Sequence, residues 1–515
     1  MPKKASDLIP IFSSPHEIND RTDKAMIEGI SSTFPIENAN YRIEVEDVHA
    51  DKKFFDHKDE KDAILRSKSL TYPVRGTVKM YDKKTNKLID TVKNFSLADT
   101  YALTGKHTQV YKGNNYNVAN LVVLKPGVYT RSRDNGELES SFNTGSGAGL
   151  SIILEPETLL FKIRAGGSKS SGLSLFVLLT KVFGLDRATI ERYIPKDIVE
   201  PNMKDAQGRD TKVINSLYSK MVNKRIQDKS LSIEDKAEAL KEALQNSKLD
   251  VDTTQTTLGK SFSHITAETI LLSCKNIIDI KRGERAEDNR DSLQFKRVLG
   301  LPDFISSHFA KGNENVTGPI KNIQRSLDKV DKNDPKIRSV LGAKPFNKVY
   351  TNFINNSTLA SPPSETNPIE SIENVGKATV IGPGYGGIAS EKGVPDEARN
   401  VDPSHLGILD PSRTPESAMA GIDQRFTMTA RRDSEGNMYA RVLDRSGKEV
   451  YLSSNEMMNS VIGFPDGMRK DGKKTTMTQY KGKFREANKS EVQYWIPAGS
   501  DMYTVTTNMV PFFNS

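Results

Sequence analysis

The sequence predicts a multidomain α+β protein, strand-rich with a helical insertion at about 200–280. Three observations predict it. Alternation of apolar and polar residues with period two recurs near both ends of the chain. Between these ends, from about 205 to 345, longer patterns of helical period replace it. The chain has 515 residues, 36% hydrophobic and 27% charged. That is enough for about three domains at roughly 100–200 residues each, and it argues against wholesale disorder.

In chain order, Tyr41–Val48 alternates as a half-buried strand does. The text around it, from 1 to about 65, is mixed. Thr77–Tyr81 and Leu88–Val92 flank a polar turn and predict a hairpin. The apolar run Val118–Leu124 is stopped by Lys125-Pro126-Gly127. A Gly-rich loop at 143–149 precedes strands at 150–154 and 158–164. Ser171–Val182 is strongly apolar and ends near Gly184, which predicts a buried helix closed by a glycine. Helical patterns follow at 211–228, 232–246, 262–279 and 317–329, with Ser232 and Asp235 spaced as a capping box. Residues 360–368 read as loop, and 371–425 are Gly/Pro-rich with little periodicity. Phe426–Ala430 alternates as a strand, and turn signals stand at 434–437 and 445–448. The stretch 467–485 carries Arg469, Lys470, Lys473, Lys474, Lys481, Lys483 and Arg485 and predicts a polar loop. No internal repeat is present.

Composition excludes several classes. Lys plus Arg total 74 against 66 Asp plus Glu, a net charge of +8, which permits nucleic-acid contact without requiring it. The sole cysteine, Cys274, makes no internal disulfide and no zinc pair, and its apolar neighbours Ile270–Leu272 predict a buried thiol. No run of about 18 apolar residues predicts a membrane span, and no signal-peptide core follows the N-terminus. The expectation is a soluble protein. His49 and His57 lie near Asp51, Asp56 and Asp59, but nothing aims them at one point as a metal site needs. Asp288 and Asp291 are spaced for one helix face among polar neighbours and predict an ion-paired surface. No HExxH, GxSxG or P-loop occurs. Gly382-Pro383-Gly384-Tyr385-Gly386-Gly387 contains GxGxxG, yet Pro383 removes a backbone donor, and Pro395 and Pro403 follow where a helix is needed. A loop requiring positive φ or close backbone approach is the better reading.

Four segments then stand in order: Asn367–Asn374, Val380–Gly384, Asp402–Gly407 and Pro411–Glu416. In order and spacing they resemble the N-P-L-S-E-I-T-H, A-L-G-P-G-G, H-P-T-H-x-G and P-x-E-T-P-E-G texts of the β subunit of multisubunit RNA polymerases. Outlying stretches resemble the same family: Lys125–Tyr129, Leu154–Arg164, Ser174–Asp186, Glu287–Val298, Val492–Tyr494 and Asn508–Phe513. The resemblance covers roughly 70–515, with 200–280 diverged.

The resemblance implies a β-like protrusion, lobe and fork. The protrusion takes 1–135, the lobe 136–345 and the second part of the protrusion with the fork loops 346–425, with a strand-rich fork region at 426–515. It implies a subunit of a DNA-directed RNA polymerase with no catalytic residue and no metal ligand of its own, the catalytic Mg²⁺ being bound by a β′-like partner. Lys377, Gly384, Lys392, Arg399 and Arg413 become candidates for nucleic-acid contacts, or for ion pairs inside the fork. His405, Pro411, Thr414, Pro415 and Glu416 become a structural fork loop. Implied partners are a C-terminal β-like half, β′-like subunits, a promoter-specificity subunit, the DNA template and nascent RNA, with no membrane. In the family the text continues past a segment like Val510–Phe512, whereas here it stops at Ser515. The expectation is a split β half like those of giant-bacteriophage polymerases. Such a chain would work in the cytoplasm of an infected bacterial host or be packaged in the virion. Departures stand at Asn115-Tyr116, at Arg413–Gly421, and at the family's rifamycin-bonding positions, here Ser361, Pro362, Ser364, Asn374 and Met419. They imply an enzyme that ignores rifamycin. The alternative from another class is a non-enzymatic phage structural or DNA-organising protein, which binds DNA alone and needs no partner.

Overall fold

The computed structural model describes residues 2–133, 135–145, 149–165, 172–222, 231–310, 313–331, 334–364, 367–382, 386–469 and 472–512. The protein is of the expected multidomain α+β class, with five sheets among the described residues. By packing it divides into two compact units, Met1–Val123 with Arg297–Ser515, and Leu124–Lys296. Among the described residues no helix is long and apolar enough to cross a membrane.

The unit Leu124–Lys296 pairs five antiparallel strands in the order Leu173–Ser174, Phe161–Ala165, Leu150–Leu154, Leu138–Asn143 and Gly127–Ser132. Their inner face packs on helices through a core that includes Phe142, Ile152, Phe161, Leu217, Leu240, Ile270 and Ile277. The expected capping box is present: Ser232 Oγ accepts the Asp235 N–H at 3.1 Å, and the Asp235 carboxylate accepts the Ser232 N–H at 3.3 Å. Cys274 is fully buried, and burial pushes its thiol pKa up, so it packs as an inert apolar group. Two expectations change. The apolar run is a short strand, Leu173–Ser174, then a helix from Leu175 that widens to π geometry over Leu178–Val182, with Gly184 at φ 67°. Asp288 is not on a helix face. Its side chain is only 8% exposed and accepts the Thr130 N–H at 2.8 Å and Arg285 Nη2 at 2.7 Å.

The first long element of the other unit is the helix Pro15–Thr33, which the mixed N-terminal text concealed. Ser14 and Glu17 form its capping box, and Pro15 presets its first turn. A four-stranded antiparallel sheet follows in the order Ile36–Glu37, Tyr41–Ala50, Thr71–Asp82 and Leu88–Tyr101. Its expected alternation places Val74, Val78 and Met80 in a core shared with Met26, Ile30, Phe304 and Phe353. A mixed sheet orders Lys296–Leu299, Asn120–Leu124, Lys377–Thr379 and Asp423–Arg425. The largest sheet runs through Ile9–Pro10, Arg431–Arg432, Met438–Asp444, Tyr494–Trp495, Ile462–Gly463, Thr475–Tyr480 and Lys483–Asn488.

Two readings of this unit are corrected. Phe426–Ala430 is not a strand, because its donors go elsewhere: Thr427 N–H to Ile408 O at 2.9 Å and Met428 N–H to Tyr503 O at 3.1 Å. The basic stretch expected as a loop contains the hairpin Thr475–Tyr480 and Lys483–Asn488. Its two-residue turn, Lys481-Gly482, has φ of 49° and 74°, the positive values a tight hairpin needs.

Candidate nucleic-acid interface

The candidate residues gather around the strand Lys377–Thr379. Asn120 fixes this strand from one side by donating Nδ2 to Val375 O at 2.9 Å and to Lys377 O at 3.1 Å. On the other side it pairs antiparallel with Asp423–Arg425. Lys377 Nζ lies 3.0 Å from Asp423 Oδ2, while Asp423 Oδ1 is buried with no hydrogen-bond partner. Arg425 stands opposite Lys377 in the ladder. Burial holds its guanidinium below the ordinary arginine range. Arg413 donates to Glu373 at 3.0–3.4 Å, and these hydrogen bonds hold its guanidinium above the ordinary range. Glu373 is 1% exposed, so this pair joins an outer loop to a buried carboxylate on the helix Pro368–Val375.

The glycine loop closes at its base through Gly382 N–H to Ile388 O at 3.1 Å and Ile388 N–H to Val380 O at 2.9 Å. Gly386 has φ 86°, which strains any other residue there, and a Cβ on Gly387 would sit 2.5 Å from Gly382 O, where the backbone leaves no room for it. Gly384, with Pro383 and Tyr385, lies outside the described residues. Beyond the loop, Arg399 donates to Ala418 O at 2.8 Å and to Glu391 O at 3.0 Å. Gly421, at φ 70°, packs against the Arg399 backbone. Arg399 therefore stitches two turns together. Lys392 sits in the turn Glu391–Gly393 and is exposed. Of the four described candidate cations it alone makes no ion pair or hydrogen bond among the described residues. An open cavity of about 370 Å³ is lined by Lys377, Lys392, Asp423, Ser361, Thr379 and Met419, among others.

The fork-loop candidates are held locally. His405 is 7% exposed, and its carbonyl accepts the N–H groups of Ile408 and Leu409, both at 2.9 Å. Thr414 Oγ1 donates to Asp423 O at 3.1 Å and accepts the Gly421 N–H at 2.8 Å. Pro411 and Glu416 are exposed, and Pro415 is half-buried. The strongest anchor is one the sequence did not single out. Asp410 is 4% exposed. Its Oδ1 accepts the Ser412 N–H at 2.8 Å and its hydroxyl at 2.6 Å, while its Oδ2 accepts the Thr504 N–H at 2.8 Å and the Thr507 hydroxyl at 2.7 Å. The text Asp-Pro-Ser, an Asx-turn signature, was its only local signal. Glu373, Asp423 and Asn120 had none. Among the described residues no group of three or more His, Cys, Asp or Glu side chains is arranged to hold a metal ion.

No family model matches the chain. It is similar to the DNA-directed RNA polymerase subunit beta of Mesoplasma florum, 26% identical over 261 residues, which are 49% of this chain and 20% of that protein. The protein of the same name from Mycoplasma mycoides subsp. mycoides is 24% identical over 361 residues, 65% of this chain and 27% of the relative. That from Bdellovibrio bacteriovorus is 27% identical over 258 residues, 48% of this chain and 18% of the relative. The chain thus resembles a β subunit over half to two thirds of its residues, and the matches span from under a fifth to about a quarter of those relatives.

Proposed function

We propose that this chain is an amino-terminal, β-like component of a multisubunit DNA-directed RNA polymerase, lining one side of the DNA cleft. The observation that carries this reading is the set of four family-like segments between Asn367 and Glu416, in order and in register. They belong to a chain similar to bacterial β subunits over up to 65% of its length. The assembled enzyme adds nucleoside monophosphates to an RNA 3′ end, and its Mg²⁺ is held by a β′-like partner. This chain contributes shape and charge. Lys392 supplies a free ammonium for a phosphate of downstream DNA. Lys377, Arg399 and Arg413 mainly set the fork's form through Asp423, the Glu391 and Ala418 carbonyls, and Glu373. The Gly382–Gly387 text, Gly384 included, would border the unpaired strand.

The finer reading is a split β half in a giant-bacteriophage polymerase, working in the infected host or carried in the virion. Its partners there are a C-terminal β-like half, β′-like subunits and a promoter-specificity subunit. The test is affinity isolation of the tagged chain from infected cells, followed by a Mg²⁺-dependent transcription assay. Recovery of those partners with RNA synthesis, and none from the chain alone, is expected. DNA binding by the isolated chain, with no polymerase partner recovered, overturns the reading in favour of a DNA-organising protein. The altered residues Ser361, Asn374 and Met419 also predict that the isolated enzyme transcribes undiminished in low rifamycin. Inhibition there contradicts that part.

A further inference from the structure

A cavity of about 60 Å³ lies at the helix Pro15–Thr33, the strand Arg431–Arg432 and the first turn of the helix Leu301–His308. Arg21, Arg432, His107, Asn117, Asn120 and Leu301 are among the residues lining it. Two guanidinium groups on so small a space repel each other, and the carboxylates that act on them are Asp303 and, one turn from Arg21 on its own helix, Glu17. Arg432 is 8% exposed and donates Nη1 to Val298 O at 3.2 Å and to the Asp303 carboxylate. The same Asp303 oxygen also accepts the Gly300 N–H at 2.8 Å, so this carboxylate already serves two donors. Arg21 makes no ion pair or hydrogen bond among the described residues, and its Nε is buried without an acceptor. Burial, and then the neighbouring Arg432, hold the Arg21 guanidinium below the ordinary arginine range. His107 adds no third charge near neutrality. Burial holds it below the ordinary histidine range, and its Nε2–H donates to Ser13 O at 3.1 Å.

A buried N–H without an acceptor is unfavourable until something accepts from it. Guanidinium forks match the oxygens of tetrahedral oxyanions. Size narrows the choice. At roughly 10–15 Å³ for each water-sized atom, the space of about 60 Å³ takes about four to six such atoms, which matches the five of one XO₄ group. We propose that this cavity binds a free oxyanion of the phosphate class, held between Arg21 and Arg432. The two arginines are 411 positions apart in the sequence, so the bound anion would clasp the N-terminal helix to the large sheet. The proposal does not depend on the polymerase reading.

The test titrates the full chain with inorganic phosphate at constant ionic strength, with chloride as the control and the melting midpoint and isothermal calorimetry as readouts. Saturable binding with a midpoint that rises with phosphate and not with chloride is expected. Arg21→Gln, which keeps a polar stem in the same helix, should weaken phosphate binding at least tenfold. Equal responses to phosphate and chloride overturn the proposal, as does an Arg21→Gln chain that binds phosphate as tightly as the parent. If that variant does not fold, selenate diffused into crystals of the parent chain decides: anomalous signal between Arg21 and Arg432 supports the site, and its absence there refutes it. A 5′-phosphorylated trinucleotide separates the two sources of phosphate. Failure to displace bound phosphate supports a free-anion site, and efficient displacement overturns it in favour of a strand terminus.

Discussion

The segment 368–425 and the unit Leu124–Lys296 solve the same problem with different materials. The unit closes on a contiguous apolar core, from Phe142 and Phe161 on its strands to Leu240 and Ile277 on its helices. Its buried ion pair, Lys162 with Asp205 at 3.0 Å, accompanies that core rather than replacing it. Among its described residues the segment 368–425 buries fewer apolar side chains: Val375, Ala378, Val394, Ile408, Leu409 and Ile422. Its turns are held by separate polar stitches: Asp410 to Thr504 and Thr507, Arg413 to Glu373, Arg399 to two carbonyls, and Thr414 to Asp423 and Gly421. An apolar core spreads a loss over many neighbours, whereas a stitch is lost whole. The form of this segment should therefore depend on a handful of polar atoms.

The sharpest test sets Asp410→Ala against Leu240→Ala. Both should cost about 3 kcal/mol, the first by leaving buried donors unpaired and the second by opening a cavity. They should differ in reach. Hydrogen exchange should show Asp410→Ala opening residues 499–508 while the helical unit stays protected, and Leu240→Ala loosening that unit's helices. Global loss of protection in Asp410→Ala breaks the contrast.

Asp23 qualifies the rule that buried polar groups hold the fold. It is 2% exposed, and burial raises its pKa to about 6, although Tyr72 donates its hydroxyl to both carboxylate oxygens at 3.0 Å. Its folded pKa lies above its unfolded value of 3.8. The folded state thus binds more protons between these values, and stability falls as pH rises through that window. Relative to Asp23→Asn, the parent should lose about 2 kcal/mol from pH 4 to pH 6.5. Parallel denaturant midpoints for the two chains would refute this.

A smaller effect is expected at Glu373→Gln, about 1–2 kcal/mol, because Arg413 is 52% exposed and water takes over part of its solvation. The expected sign is loosening of the loop 411–421 with the rest unchanged, read by exchange or limited proteolysis. Smallest for stability is Lys392→Ala, within about 0.5 kcal/mol. Its signature is functional. The log–log salt dependence of DNA binding by the assembled enzyme should flatten by about 0.9 if one phosphate contact is lost. An unchanged slope removes Lys392 from the interface.

Local text carried what local physics decides. The hairpin at 71–101 follows from alternation, the Ser232 cap from its spacing to Asp235, and the buried thiol of Cys274 from its apolar neighbours. The helix Pro15–Thr33 was hidden because its buried face includes Thr22, Asp23 and Gly29, which dilute the apolar period. Gly29 is needed there, since a Cβ would meet the Phe309 ring at 2.4 Å. The hairpin at 475–488 was hidden because its outer strand is exposed at almost every position and carries Lys483, Arg485 and Glu486. The stitches of the segment 368–425 join residues 40 and 94 positions apart, Arg413 to Glu373 and Asp410 to Thr504, and no window of sequence displays such a pair.

The route of the chain between its two units has a practical meaning. The strand by which it leaves the first unit, Asn120–Leu124, and the strand by which it returns, Lys296–Leu299, are neighbours in one sheet. A detour that starts and finishes on adjacent rungs is a cassette. Joining the two strands by a short Gly/Ser turn should keep that sheet's order, since the excised segment has its own hydrophobic core. In this sense the unit Leu124–Lys296 should be a replaceable part, able to diverge, to be exchanged or to carry a label.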